Sequence, residues 1–212
     1  TSDSKVFSED IENFSIKALN QSNTVWLSAV AHSDIVQDLS NHFETINIIK
    51  PQKRFGNLKL SYNYPTKLGA DRFSAMLGAI NHFPNKPLLV IDIGSAITFD
   101  VVDNNGLHHG GLIMPGIKAL RGSFEKFKTS DLSLGLKGLT NNTDDAWQQG
   151  TYAMMIGAIN YQIELFQSNF SDGVVPVCGG KAKEIKKELP KSIELFDNLV
   201  LDGLESYSQS MG

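Results

Sequence analysis

The chain has 212 residues, 41% of them hydrophobic and 20% charged, with a formal net charge of −4, the profile of an ordinary folded protein with room for one domain or two small ones. The acidic balance argues against a nucleic-acid surface, because the densest basic stretch, KAKEIKKELPK from Lys181, interleaves lysines with glutamates as a solvated helix face does. One cysteine, Cys178, excludes an intrachain disulfide framework; no apolar run approaches membrane-spanning length, and TSDSKVFSED at the front has no basic-then-apolar leader pattern, so the expected address is cytoplasmic, with neither membrane nor nucleic acid as partner.

In chain order, IENFSIKAL (11–19) reads as a helix, TVWLSAV (24–30) as a strand, DIVQDLSNHF (34–43) as a helix and INIIK (46–50) as a strand. KRFGNLKLSYNYPTKLG reads as a linker. ADRFSAMLGAINHF follows as a helix that buries Phe73, Met76, Leu77, Ile80 and Phe83. Three apolar runs, PLLVIDI (87–93), SAITFDVV (95–102) and LHHGGLIM (107–114), then predict an antiparallel meander, with Asn104-Asn105-Gly106 as the turn between the last two.

Pro115 and Gly116 end the meander, and IKALRGSFEKF is expected as a short helix with Ile117, Leu120 and Phe124 on one face. A long helix is expected from about Thr143 to Phe170, with Asp144 and Asp145 complementing the dipole of its first turn. Its small residues Gly150, Ala153, Gly157 and Ala158 would admit another backbone at close range. VVPV (174–177) reads as a strand, Gly179-Gly180 as a turn, the segment from Lys181 as a helix, and LVL (199–201) as a final strand. This order is a mixed α/β unit of the ribonuclease-H type. Two such halves are expected, residues 1–86 and 87–212, of which the first lacks an opening strand meander.

Several residues invite chemical readings. IDIGSAITFD (91–100) delivers a carboxylate, Asp92, into a small-residue turn, and an ionised carboxylate at the end of a buried strand needs a cation, a donor network or a ligand. Gly94 and Ser95 suit a phosphate-binding turn, in which Gly lets the backbone approach an anion and the hydroxyl adds a donor; an ordinary turn in which Asp92 caps its own backbone is the alternative. Asp71 is either an acid favoured by its helix dipole or a general base that takes a substrate hydroxyl proton as a phosphoryl group arrives. Arg72 offers a donor fork for a carboxylate or phosphate, or forms an exposed salt bridge.

His108 and His109 are adjacent in a strand, point to opposite faces and make a poor metal pair. Gly110, Gly111 and Gly116 would open space for a ligand or a close backbone. Gly179-Gly180 would lie against a nucleotide base or form a plain tight turn, and Cys178 reads as core. The two best-known nucleotide loops, G-x-x-x-x-G-K-[ST] and G-x-G-x-x-G, are both absent.

Taken together, YNYPTKLGADR (62–72), IDIGSAITFD (91–100), GGLIMPG (110–116) and NNTDDAWQQG (141–150), followed by CGG and LDGL, resemble the type III pantothenate kinases, the class that also contains the Bvg accessory factors. The resemblance runs from about Thr24 to Leu204. It implies the two-half fold shared by actin, Hsp70 and sugar kinases, and ATP-dependent phosphorylation of the 4′-hydroxyl of pantothenate, the first step toward coenzyme A.

By that resemblance Tyr62, Gly69, Ala70, Asp71 and Arg72 line the pantothenate site, with Asp71 as base. Thr143 reaches pantothenate from the partner of a homodimer. Gly94, Ser95, Gly179 and Gly180 serve ATP, which arrives with Mg2+, and Asp92 holds a monovalent cation, K+ or NH4+. Ser95 stands where the family usually has threonine, which keeps the hydroxyl. Family members begin with a strand ending in Asp-x-Gly-Asn-Thr, which residues 1–30 do not contain. The expectation is therefore either a shortened kinase or a homologue that binds pantothenate or nucleotide in a regulatory role without turnover.

Overall fold

The computed structural model describes residues 24–28, 34–127, 133–135 and 138–211; the helix expected at 11–19 lies outside them. The described chain opens with strand β1 (Thr24–Leu27), helix α1 (Asp34–His42) and strand β2 (Thr45–Ile48), and β1 and β2 pair in parallel. Two short strands, β3 (Arg54–Phe55) and β4 (Leu58–Lys59), form a hairpin, and a single 3-10 turn at Pro65–Lys67 leads into α2 (Ala70–His82). The segment expected as a linker is thus seated structure. Leu58, Leu60 and Leu68 are buried in the core beside α2, because the leucines spaced through its polar residues all turn inward.

β5 (Leu88–Ile93), β6 (Ala96–Val102) and β7 (His108–Pro115) make the expected meander. After it come α3 (Ile117–Gly122), α4 (Thr143–Asn169), β8 (Val175–Cys178), α5 (Ala182–Ile185), β9 (Ile193–Leu195) and α6 (Leu199–Met211). The sheet order is β7-β6-β5-β8-β9, antiparallel across the meander and parallel from β5 through β9. This is the α/β arrangement that the order of apolar runs predicts for the second half.

Two expectations fail locally. LVL (199–201) is the start of α6, and the last strand is Ile193–Leu195 instead. Three apolar residues do not distinguish strand from helix; the following Gly203, Leu204 and Tyr207 are all buried with Leu199, a helical spacing. The helix after Gly116 ends at Gly122, and Phe124, expected on its buried face, is 51% exposed and packs edge-on against Phe127. Arg121 takes the buried position of that turn.

The central strands are apolar at nearly every position because both sheet faces are covered. On one face Leu89, Ile91, Ile93, Phe99 and Val177 pack against Ile156, Ile159, Ile163 and Phe166 of α4 and Ile185 of α5. On the other, Leu88, Val90, Val102 and Cys178 pack against Phe73, Met76 and Leu77 of α2 and Leu199, Leu204 and Tyr207 of α6. This second core draws residues from both sides of position 86. The helices α2 and α6 cross at glycines: a Cβ on Gly203 would overlap the Ser74 carbonyl, and one on Gly78 would overlap that of Leu199. Backbone contact at this crossing holds α2, whose first turn carries Asp71 and Arg72, close against α6.

Candidate active site

Alternation along β5 sends Leu88 and Val90 to the face that carries α2, and the next residue of that set is Asp92. The antiparallel register puts Thr98 opposite Asp92 and Asp100 opposite Val90 on β6. Asp100 in turn pairs with Gly111 of β7. Two carboxylates are therefore built into the sheet face that α2 covers, and the first turn of α2 brings Asp71 and Arg72 to meet them.

Arg72 is buried, not an exposed salt-bridging residue: it is 6% exposed and Asp100 2%. Its Nε donates to Asp100 Oδ2 at 2.8 Å and its Nη2 to Oδ1 at 2.7 Å, a fork-to-fork pair. His108 is fully buried on the same carboxylate, with Nε2 2.8 Å from Oδ1. Arg72 Nη1 donates to the Tyr62 hydroxyl at 3.2 Å, and the Tyr62 ring lies nearly parallel to the His108 imidazole, 14° apart with centroids at 5.8 Å. Hydrogen bonding and the Asp100 charge hold the guanidinium above its ordinary pKa although burial opposes it.

Gly111 explains why β7 can lie beside this pair, since a Cβ there would come within 2.6 Å of Asp100 Oδ1 and overlap Arg72 Nη2 and the Phe99 carbonyl. His109 turns the other way, to the rim, and bonds Asp103 at 3.0 Å. The ladder slips between Val101 and Val102, leaving His109 as the extra residue of a bulge.

Asp71 sits in the first turn of α2, half-buried, and its Oδ1 accepts the Arg72 backbone N–H at 2.8 Å. A Cβ on the N-cap residue, Gly69, would occupy the place of that oxygen. Ala70 is buried at the first helical position.

Asp92 has a different environment. Among the described residues no hydrogen bond or ion pair reaches its carboxylate, and its pKa is pushed up to about 6, first by burial and then by the negative charge of Asp71. Cys178, its register partner on β8, is buried and its thiol is pushed well up by that burial and by Asp92.

Two turns frame Asp92. In the first, Gly94 N–H donates to Ala96 at 2.9 Å, Gly116 N–H donates to the Ser95 carbonyl at 3.0 Å, and the Ser95 side chain is exposed. In the second, Gly179 has φ +100°, a conformation that disfavours a side chain, and a Cβ there would meet Ile93 N and O at 2.5 Å and overlap Asp92 Oδ1. Lys181 N–H closes this turn on the Ile93 carbonyl at 3.1 Å, while Gly180 faces open space. Glycine is required at 179 because the turn lies directly against the end of β5.

Asp92 fits a cation in one specific respect: it is a partly buried carboxylate without a donor, beside a second negative charge. Among the described residues no group of three or more His, Cys, Asp or Glu is gathered as a metal cage. One carboxylate with backbone and ligand oxygens suits a weakly held monovalent ion, and Mg2+ commonly binds through one or two carboxylates together with substrate phosphates. Thr143 stands apart. It is exposed at the start of α4, on the opposite sheet face, where Asn142 caps the helix by accepting the Asp145 N–H at 2.9 Å.

The structure thus joins Tyr62, Gly69, Ala70, Asp71 and Arg72 in one cluster and sets Asp92, Gly94, Ser95, Gly179 and Gly180 at the adjoining strand ends. Asp100 and His108 belong to the first cluster and were not singled out from sequence as its members. Part of the signal is in the sequence: alternation puts Asp92 and Asp100 on the same sheet face, and the Asn-Asn-Gly turn sets His108 opposite Val102, but the bulge at His109 then moves the register by one residue before Asp100.

Comparison with known proteins shows which family the chain resembles. The type III pantothenate kinase family model matches residues 2–165. A type III pantothenate kinase of Albidiferax ferrireducens is 35% identical over 153 residues, 68% of this chain and 59% of that protein. One of Colwellia psychrerythraea is 28% identical over 219 residues, 95% of this chain and 88% of that protein. The match therefore spans about three fifths of the first relative and most of the second. Among solved structures, a conserved Campylobacter jejuni protein assigned to the Baf family of transcriptional activators superposes with a TM-score of 0.59 over 91% of this chain and 85% of that one, at 19% identity, which speaks for the fold alone. The chain belongs to the type III pantothenate kinase family.

Proposed function

We propose that the protein transfers the γ-phosphoryl group of ATP to the 4′-hydroxyl of pantothenate. The observation that carries this reading is the pairing, on consecutive residues of one helix start, of a half-buried carboxylate and a buried, fixed guanidinium, directly beside the strand end that presents Asp92 between two glycine turns. In this reading Asp71 accepts the hydroxyl proton as the substrate oxygen bonds to the γ-phosphorus and the bond to the β-phosphate oxygen breaks, releasing ADP. Tyr62, Gly69, Ala70 and Arg72 position the acceptor. The Ser95 hydroxyl and the backbone at Ser95, Gly179 and Gly180 would meet an incoming phosphate chain, beside the turn that Gly94 closes with its N–H on the Ala96 carbonyl.

Mg2+ and a monovalent cation, K+ or NH4+, supply charge neutralisation around the phosphates when bound, and Asp92 is the residue that would hold the latter. Thr143, exposed and remote from the cluster of its own chain, is assigned to the pantothenate site of a second copy in a homodimer.

The test is pantothenate-dependent ADP release by the complete gene product and by Asp71→Asn. The amide keeps the shape and loses the base, so turnover should fall by roughly 100- to 10,000-fold with the melting temperature retained. Parent-like turnover in the variant would refute the base assignment. Saturable pantothenate binding by a parent that never turns over would favour a regulatory role on the same fold.

A further inference from the structure

Asp100 is an internal charge that the proposed chemistry does not use. It is 2% exposed, on the sheet face that α2 covers, and three donors converge on it: Arg72 Nε, Arg72 Nη2 and His108 Nε2, at 2.8, 2.7 and 2.8 Å. A carboxylate only accepts, so His108 Nε2 carries its proton toward Asp100, and the buried Nδ1 is left without a partner. Burying three polar side chains together is costly unless the geometry is good, and here each bond is short and the fork is matched. The consequence falls on Arg72. Of its five N–H groups, two go to Asp100 and one to Tyr62, so two remain, one on each terminal nitrogen.

We propose that Asp100, backed by His108, is a positioning residue for the acceptor substrate: it fixes the Arg72 guanidinium in one orientation and, through it and the His108 ring, the Tyr62 hydroxyl. The inference rests on the reading of Tyr62 and Arg72 as acceptor-binding residues. Three observations meet in it. The Arg72–Asp100 fork removes rotation about the end of a long side chain, which is the freedom that a loosely held arginine would lose on binding substrate. The His108 ring, held by the same carboxylate, is the surface on which Tyr62 lies. Gly111, one of the paired glycines of β7, leaves the space in which the fork sits. The Gly-Gly step after the histidines thereby gains a reason: the fork presses on the β7 backbone.

The experiment measures initial rates of the complete protein with pantothenate and ATP varied separately, for the parent, Asp100→Asn, His108→Gln, Arg72→Ala and the double variant Asp100→Asn/Arg72→Ala, each with its melting temperature. Positioning predicts that Asp100→Asn raises the KM for pantothenate or lowers kcat by roughly tenfold to a hundredfold while the KM for ATP stays within about twofold. His108→Gln should show a smaller effect of the same selectivity. In the Arg72→Ala background the Asp100 substitution should add less than about threefold, because its effect runs through the arginine.

If Asp100→Asn does not fold, His108→Gln and Gly111→Ala, which disturb the fork from either side, carry the same test. Equal changes in both KM values, or losses that add fully in the double variant, would overturn the positioning role while leaving the kinase reading intact. A folded parent that neither binds nor phosphorylates pantothenate would overturn the kinase reading, and the positioning role with it.

Discussion

Replacing Asp92 by asparagine is expected to stabilise the protein at neutral pH and to flatten its stability between pH 4 and 7. The folded state holds the Asp92 proton up to about pH 6, against a usual value near 3.8, because burial and the Asp71 charge both disfavour the anion. Well below pH 3.8 the carboxyl is protonated in folded and unfolded chains alike and contributes nothing adverse. Between 4 and 6 the folded chain binds more protons than the unfolded one, so stability falls as pH rises, and above 6 the full cost is present. The difference between 3.8 and about 6, at 1.36 kcal/mol per pH unit, gives a ceiling of about 3 kcal/mol, which for a chain of this size corresponds to roughly 6–12 °C in melting temperature.

Thermal melts of parent and Asp92→Asn at pH 4.5 and 7.5, in a buffer whose only cation is bulky and organic, read the effect directly. The variant should gain several degrees at pH 7.5 and roughly a third as much at 4.5. Added KCl or NH4Cl should recover stability in the parent and not in the variant, since a cation at Asp92 offsets the same charge. Equal melts at both pH values, or equal salt responses, would refute the claim that Asp92 is an uncompensated carboxylate awaiting a cation.

Gly179→Ala should lose both stability and nucleotide affinity, because φ +100° and contacts of 2.5 Å to Ile93 N and O leave no place for a Cβ; calorimetric titration with ATP alongside melting checks this. Gly157→Leu should fold normally, since no atom lies within 4 Å of the position that its Cβ would take, and should weaken a dimer if copies meet on the exposed side of α4 with Met154 and Tyr161; sedimentation of a folded variant that stays dimeric would remove this helix from the interface. Gly203→Ala should destabilise by about 1–3 kcal/mol, as overpacking does, and should also raise the KM for pantothenate by shifting α2; a change in melting temperature with unaltered kinetics would show that α2 is seated by other contacts.

The second half was legible because its signals were local. Continuous apolar runs marked strands covered on both faces, Asn104-Asn105-Gly106 marked the hairpin, and the turns after Asp92 and Cys178 were visible as small-residue breaks. The segment 53–69 reads as a linker because its leucines are isolated among polar residues, and only the presence of the sheet and α2 shows that Leu58, Leu60 and Leu68 share one core. The sequence alone reads LVL as the last strand, where the structure has Ile193–Leu195, since three residues carry too little periodicity to separate strand from helix. For Arg72 the residues alone offer a carboxylate or phosphate for its donor fork, or an exposed salt bridge, and the structure shows the fork buried on a carboxylate. Its partner lies 28 residues away on a strand whose register no local pattern near Arg72 reports.

The same sheet divides its two faces between stability and chemistry. The α4 face is filled by aliphatic and aromatic side chains from β5, β6 and β8, with no carboxylate among them. The α2 face begins the same way, with Leu88, Val90 and Val102, and then turns polar toward the end of β5 and the start of β6, through Asp92, Thr98 and Asp100. Polar groups at that depth need a covering element that brings its own complementary charge, and α2 brings Arg72 to one carboxylate while leaving the other without a donor. One acid is neutralised within the fold and can act only through the arginine and histidine it holds. The other keeps its charge unsatisfied at the mouth of two glycine turns, which is the condition for binding a cation together with an anionic ligand. The close crossing of α2 on α6 at Gly78 and Gly203 lies on the same helix that carries both relations, so the backbone contact of two helices bears on the spacing of the residues proposed for the site.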